Sequence, residues 1–189
     1  MNIDTLLISP EYIRKYSTVS DNMNDNNIVP CIIDAQLSGL QPIIGTALYD
    51  ELCKEVTDDD LTEFNKLLLD NYIATYLLYQ VIANMTIDNY QKQHNAGSVN
   101  YVDTNYQNIA LSELKYMKQH WEDKASFYAN RLDDFLRANS QNYPKFYEWK
   151  CGEMRHNDSS NVYHSGIGLG NIPTCYNNFI KRKYKKWYY

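Results

Sequence analysis

No apolar run in this 189-residue chain reaches the roughly 20 residues that a helical membrane span requires. The nearest approach, 71–87, has no formal charge but is interrupted by Asn71, Thr75, Gln80 and Asn84. It reads as a central buried helix, and a multispanning membrane protein is excluded. Cysteine is also scarce: Cys31, Cys53, Cys151 and Cys175 show no C-x-x-C spacing and no secretory context, so reduced thiols are the default. Met1-Asn2-Ile3-Asp4 brings no basic leader and Leu6-Leu7-Ile8 is a short apolar run, so no signal peptide is expected. A phosphate-binding loop, a zinc-protease histidine pair and a nucleophile elbow are all missing. The glycines at 166, 168 and 170 lack dinucleotide-binding spacing and follow no strand-like run, so they read as a hinge. His120-Trp121-Glu122 imitates half of a deaminase signature, but Pro173-Thr174-Cys175-Tyr176 does not supply the other half. No enzyme and no cofactor are expected.

What the chain does have is tyrosine. Without its 18 tyrosines the apolar share falls from 44% to about 34%, low for a self-contained globule. Leucine, isoleucine and the aromatics are still too abundant for a disordered chain. Charge is split unevenly. The net charge of −5 is the sum of −10 over residues 1–179 and +5 over the last ten. An acidic body with a basic, aromatic end suggests docking on another surface.

The pattern along the chain is helical. Ser9-Pro10-Glu11 is a helix start, with a capping hydroxyl, a proline in the first turn and an early acid. After a polar stretch, Ile28, Cys31, Ile32, Ala35 and Gly39 share one face of a second helix, with Pro30 expected in its first turn. Gln41-Pro42 is expected to break that helix, and Thr46 to cap a third that carries Leu48, Leu52 and Val56. Asp58-Asp59-Asp60 is expected to cap a fourth helix, 60–88, apolar nearly all round as in the middle of a bundle. Three adjacent acids point in different directions, so they make a poor metal site. Residues 92–107 change to turn and alternating chemistry. They predict a projecting loop or short β-hairpin, with Gly97, Val99, Tyr101 and Val102 as its candidate contact residues. A last long helix, 108–139, carries Leu114, Met117, Trp121, Ala125, Tyr128, Leu132 and Phe135 as its stripe. The expected fold is mainly α: a helical bundle (1–139) with two long helices and the loop or hairpin between them, then an extended C-terminal arm (140–189).

Two constellations on that arm carry chemistry. Cys151, His156, His164 and Cys175 are the ligand types of a structural zinc, but their spacing matches no common finger, and coincidence is preferred. The terminal group Lys181, Arg182, Lys183, Tyr184, Lys185, Lys186, Trp187, Tyr188 and Tyr189 suits an anchor, with aromatics buried in a partner and cations facing an acidic rim. Cations interleaved with aromatics also suit single-stranded nucleic acid, although the acidic body would repel it. A nucleic-acid module and a small zinc-stapled domain therefore stand as alternatives.

Several helix boundaries, taken in order, carry a resemblance. They are Ile8-Ser9-Pro10-Glu11-Tyr12-Ile13, then 40–52 (Leu-Gln-Pro-Ile-Ile-Gly-Thr-Ala-Leu-Tyr-Asp-Glu-Leu), Gly97-Ser98-Val99, Phe127-Tyr128-Ala129-Asn130-Arg131-Leu132 and the stretch from Asn139 to Tyr143-Pro144. Over residues 8–150 the chain resembles the head–tail connector (adaptor, or ring) proteins of tailed bacteriophages, most closely those of crAss-like phages. The resemblance implies a helical adaptor in a homo-oligomeric ring of twelve copies beneath the portal. It implies the portal and downstream ring, stopper or tail proteins as partners, no membrane, and a place in the virion neck after assembly in the host cytoplasm. Genomic DNA would pass through the ring without specific binding, and an acidic lining suits that passage because like charges do not grip.

Overall fold

Each helix of the bundle starts and stops for a local reason. A computed structural model describes residues 5–88, 91–94, 97–100, 111–150 and 153–156. Helix α1, Pro10–Tyr16, is capped by Ser9, whose Oγ accepts from the Tyr12 amide at 3.1 Å. Helix α2, Asp25–Asp34, starts earlier than its apolar face suggests, because Asn24 Oδ1 accepts from the Asn26 amide at 2.9 Å and caps it. Pro30 is therefore inside the helix and not in its first turn.

The expected break at Gln41-Pro42 does not occur. A π-helical turn, Ala35–Leu40, leads directly into the short helix α3, Gln41–Ile44. The wider turn lets the Gln41 amide bond back to the Gln36 carbonyl, five residues earlier, and the chain stays helical across the proline. Gly45 ends it at φ 81° and ψ 157°, a conformation essentially restricted to glycine. Helix α4, Thr46–Asp58, comes next, and Asp59 closes it in the left-handed conformation at φ 53°. Asp58 is thus the last residue of α4, Asp59 and Asp60 turn the chain out of it, and the three do not cap the next helix. Thr62 does that, with its Oγ1 accepting from the Asn65 amide at 3.3 Å. Glu55 Oε2 braces the same corner, accepting from the Thr62 amide at 3.1 Å and Asn65 Nδ2 at 2.9 Å.

Helix α5, Glu63–Leu68, a second π-helical turn, Leu69–Ile73, and helix α6, Ala74–Asp88, form one long rod. Beyond it lie two four-residue strands, β1 (Gln91–His94) and β2 (Gly97–Asn100), antiparallel with Lys92 opposite Val99 and His94 opposite Gly97. Helix α7, Leu111–Ala138, returns along α6, since Trp121 meets Tyr79 while Phe135 meets Tyr72. The mainly helical bundle is the architecture read from sequence. Of the loop's candidate contact residues, Tyr101 and Val102 lie outside the described residues.

Chain contacts divide the protein into two units. The first, Met1–Trp149 with Glu153–Asn157, holds the core of Ile28, Ile32, Leu48, Leu52, Leu77, Val81, Leu132 and Leu136. Each such side chain contributes about 1.5–3 kcal/mol by leaving water. The second, Lys150–Gly152 with Asp158–Tyr189, falls almost wholly outside the described residues. One buried polar residue sits in the first π turn: Gln36 Oε1 accepts from the Leu7 amide at 2.8 Å, and its Nε2 donates to the Thr5 carbonyl at 3.0 Å and Tyr49 Oη at 3.1 Å. This group ties the N-terminal segment to α4 with its polar atoms paired.

The close approach of the first π turn to α6 depends on Gly39. A Cβ there would stand 2.5 Å from Tyr76 Oη and 3.4 Å from Gln80 Cγ. Gly39→Ala is expected to cost about 1–3 kcal/mol in urea denaturation through overpacking, and Tyr76→Phe in the same chain to recover part of it. Equal losses with and without the second change would show that the crowding lies elsewhere. Desolvation raises the hydroxyls of Tyr12, Tyr49, Tyr76 and Tyr143 above their ordinary 10.0, and the Cys53 thiol above 9.0. The unfolded chain therefore releases these protons first, and the associated stability is complete below pH 9 and lost as pH rises past 10. Denaturation midpoints across that range should fall with pH, with a shallower slope in Tyr76→Phe.

Candidate functional site

Helix α7 has two faces of different character. Leu114, Ala125, Leu132 and Leu136 are buried, while Trp121, Tyr128 and Phe135, seven residues apart, are half-buried along one flank. Those three interleave with Tyr79 and Tyr72 of the α5–α6 rod. Tyr79 stacks on Tyr128 with centroids 5.1 Å apart and planes 9° apart, and Tyr72 stacks on Phe135 at 4.1 Å. Cations cover the ladder: Lys124 Nζ stands 4.5 Å from the Trp121 ring centre, and the Arg131 guanidinium 5.5 Å from that of Tyr72. Such contacts contribute about 0.5–1 kcal/mol each at exposed sites. Met117, expected on the inward stripe, is 43% exposed, because the seven-residue repeat carries the packing flank away from it.

Opposite the core, Tyr116 and Phe127 are 77% and 63% exposed. Eleven residues apart, they lie on one side of the helix. Phe64 and Leu67, three apart on α5, are also exposed. Each of these two helices therefore leaves a pair of large apolar groups uncovered.

Elsewhere on the bundle a clasp joins two distant parts of the chain. The Thr46 amide donates to the Met154 carbonyl at 2.9 Å, and the Met154 amide donates to Thr46 Oγ1 at 3.0 Å. Gln41 Nε2 donates to the same hydroxyl at 3.0 Å. Thr46 is therefore not the helix cap its position suggests; Gly45 occupies that place and the threonine hydroxyl holds a distant segment. His156 is buried beside it, stacked on Phe146 at 4.2 Å and edge-on to Tyr147 at 5.4 Å. A Cβ on Gly45 would meet the His156 backbone nitrogen at 3.2 Å. Tyr143 is buried as well, with its hydroxyl donating to the Phe64 carbonyl at 2.7 Å.

Of the zinc set, His156 is thus an aromatic packing residue, and Cys151, His164 and Cys175 lie outside the described residues. Among the described residues no group of three His, Cys, Asp or Glu side chains is placed to hold a metal ion. Nor is any described helix long and apolar enough to cross a membrane. The anchor residues from Lys181 to Tyr189 lie outside the described residues. Sequence reading missed the clasp; its one local signal was Gly45-Thr46 itself, which reads equally well as an ordinary helix start.

Fold and surface together define an α-helical bundle domain with an aromatic outer face and a clasped C-terminal segment. The chain belongs to a family of unknown function, DUF6712, whose model matches residues 40–155, more than half of its length. The match takes in both sides of the clasp. No curated protein and no solved structure matches the chain.

Thr46→Val keeps the shape but removes the acceptor of both Met154 N and Gln41 Nε2. The expected cost is about 1–3 kcal/mol, with faster hydrogen exchange at the Met154 amide and earlier proteolytic cleavage between Trp149 and Glu153. An unchanged Met154 exchange rate would show that the clasp does not hold the segment.

Proposed function

We propose that this protein is a structural subunit of the neck of a tailed bacteriophage. It forms a ring beneath the portal that joins head to tail and lines the DNA channel. The observation that carries this reading is the uncovered apolar surface. Tyr16, Phe64, Leu67, Tyr116, Met117, Phe127, Tyr147, Trp149 and Met154 are 39–77% exposed on a bundle whose sequence is otherwise acidic. A subunit completed by its neighbours has this composition, since its stability is shared across interfaces.

The resemblance of residues 8–150 to connector proteins supports the same reading. The motif most characteristic of it, 40–52, contains Gln41, Gly45 and Thr46 of the clasp. The basic, aromatic end from Lys181 to Tyr189 serves in this reading as an anchor to the portal or a neighbouring subunit. The action is mechanical: helices pack side by side and DNA slides past an acidic wall. No residue performs a catalytic step.

Native mass spectrometry of the full chain, mixed with its portal, should show twelve copies per portal and no bound metal. Removal of residues 180–189 should leave helicity and the unfolding midpoint unchanged while abolishing the complex. A chain that stays a 22.2 kDa monomer with the portal present would overturn the reading. A truncated chain that still joins the portal would overturn the anchor role alone.

A further inference from the structure

Charge is distributed unevenly within the described bundle. Residues 5–88 carry thirteen carboxylates and four Lys or Arg, whereas residues 111–150 carry six and seven. The first half is therefore strongly acidic, and α7 with its continuation is close to neutral. Each half exposes a short stretch in which apolar and charged side chains alternate. On the α5–α6 rod, Glu63 and Asp70 are exposed seven residues apart, with Phe64 and Leu67 uncovered between them at 54% and 43% and with the exposed Lys66 beside them, so this face carries two carboxylates to one cation. On α7, the half-buried Lys124 and the exposed Arg131 are also seven residues apart, with Phe127 uncovered between them and the exposed Asp134 one turn beyond, so this face carries two cations to one carboxylate. Seven residues correspond to about 10 Å of helix, so the two charge pairs have nearly the same span.

Neither pair is neutralised within the described part of the chain. Among the described residues no cation comes within ion-pair distance of Glu63 or Asp70, and no carboxylate of Lys124 or Arg131. The cations rest on aromatic rings. Lys124 lies against Trp121 and Tyr79, and Arg131 over Tyr72, which positions them without supplying a counter-charge.

We infer that these two faces are the halves of one contact between copies of this chain: the Glu63–Asp70 face of one copy packs on the Lys124–Arg131 face of the next. Phe64 and Leu67 meet Phe127 at the centre, and the charges pair around them. The two faces are different and complementary, so the contact is head-to-tail, and repetition by a closing rotation gives a ring. Opposite charges around an apolar centre set register and reject the wrong pairing, because like charges brought together are strongly unfavourable. This inference rests on the ring reading and specifies its subunit contact.

The test is a charge swap in the full chain with the portal present, read by native mass spectrometry. Glu63→Lys with Asp70→Lys makes both faces basic, and Lys124→Glu with Arg131→Glu makes both acidic. Circular dichroism checks that each double variant is folded, as expected for positions outside the core. Each alone should lose the ring, with at least roughly a tenfold rise in the concentration needed for assembly. Mixed in equal amounts, they should recover a ring in which the two variants alternate. Rings from either variant alone at wild-type concentration would overturn the inference while leaving the ring reading intact. So would a mixture that fails to recover, or variants that form rings but no longer bind the portal. A wild-type chain that forms no ring would overturn both.

Discussion

The fold depends on a single backbone constraint at Gly45. Its φ of 81° with ψ of 157° is closed to residues with a Cβ, and that conformation does three things at once. It ends α3 after the Gly45 amide has bonded to the Gln41 carbonyl at 2.9 Å. It begins α4, since the Gly45 carbonyl accepts from the Tyr49 amide at 3.1 Å. Its missing side chain leaves room for the backbone of His156, more than a hundred residues later in sequence. The direction of α4, the orientation of the Thr46 hydroxyl and the seat of the C-terminal segment are all set by one residue.

Three of the 18 tyrosines, Tyr72, Tyr79 and Tyr128, have a shared structural role where the α5–α6 rod meets α7. Two long helices that met only through leucine would need cover on every side. Rings at Tyr72, Tyr79, Trp121, Tyr128 and Phe135 stack down one flank and remain half open to water. An aromatic ring with a polar tip tolerates that position better than an aliphatic side chain does. Lys124 and Arg131 contribute by laying their aliphatic stems across the ladder with the charged ends outward. The flank is thus packed from both helices while its rings and cations stay partly open to water.

Much of the helical order was legible in the sequence, because it comes from period and punctuation. Ser9 caps α1, the apolar core of α6 falls where the uncharged stretch lies, and α7 runs close to its expected limits. What was not legible has particular causes. Gln41-Pro42 reads as a break because a regular α-helix would lose a hydrogen bond there; the π turn before it changes the bonding pattern, and no local propensity signals that turn. Asp58-Asp59-Asp60 reads as a cap, yet Thr62, two residues further on, has the better geometry. Thr46 reads as a cap because its partner, Met154, is remote in sequence. Period identifies which residues share a face but not what that face meets, which is why Met117 was expected inside.

The clasp also bears on how an assembly of such subunits would be ordered. A C-terminal anchor with no fixed root would lose most of its binding energy to the entropy of positioning. Two hydrogen bonds at Thr46 and the ring stack of His156 on Phe146 fix the chain at residue 156 against the bundle. On the other side of Gly45, the same residue sets the start of α4, whose end leads through the Asp59 turn to the Glu63–Leu67 face. One glycine thus stands at the root of both the clasped segment and the helix that leads to the exposed Glu63–Leu67 face.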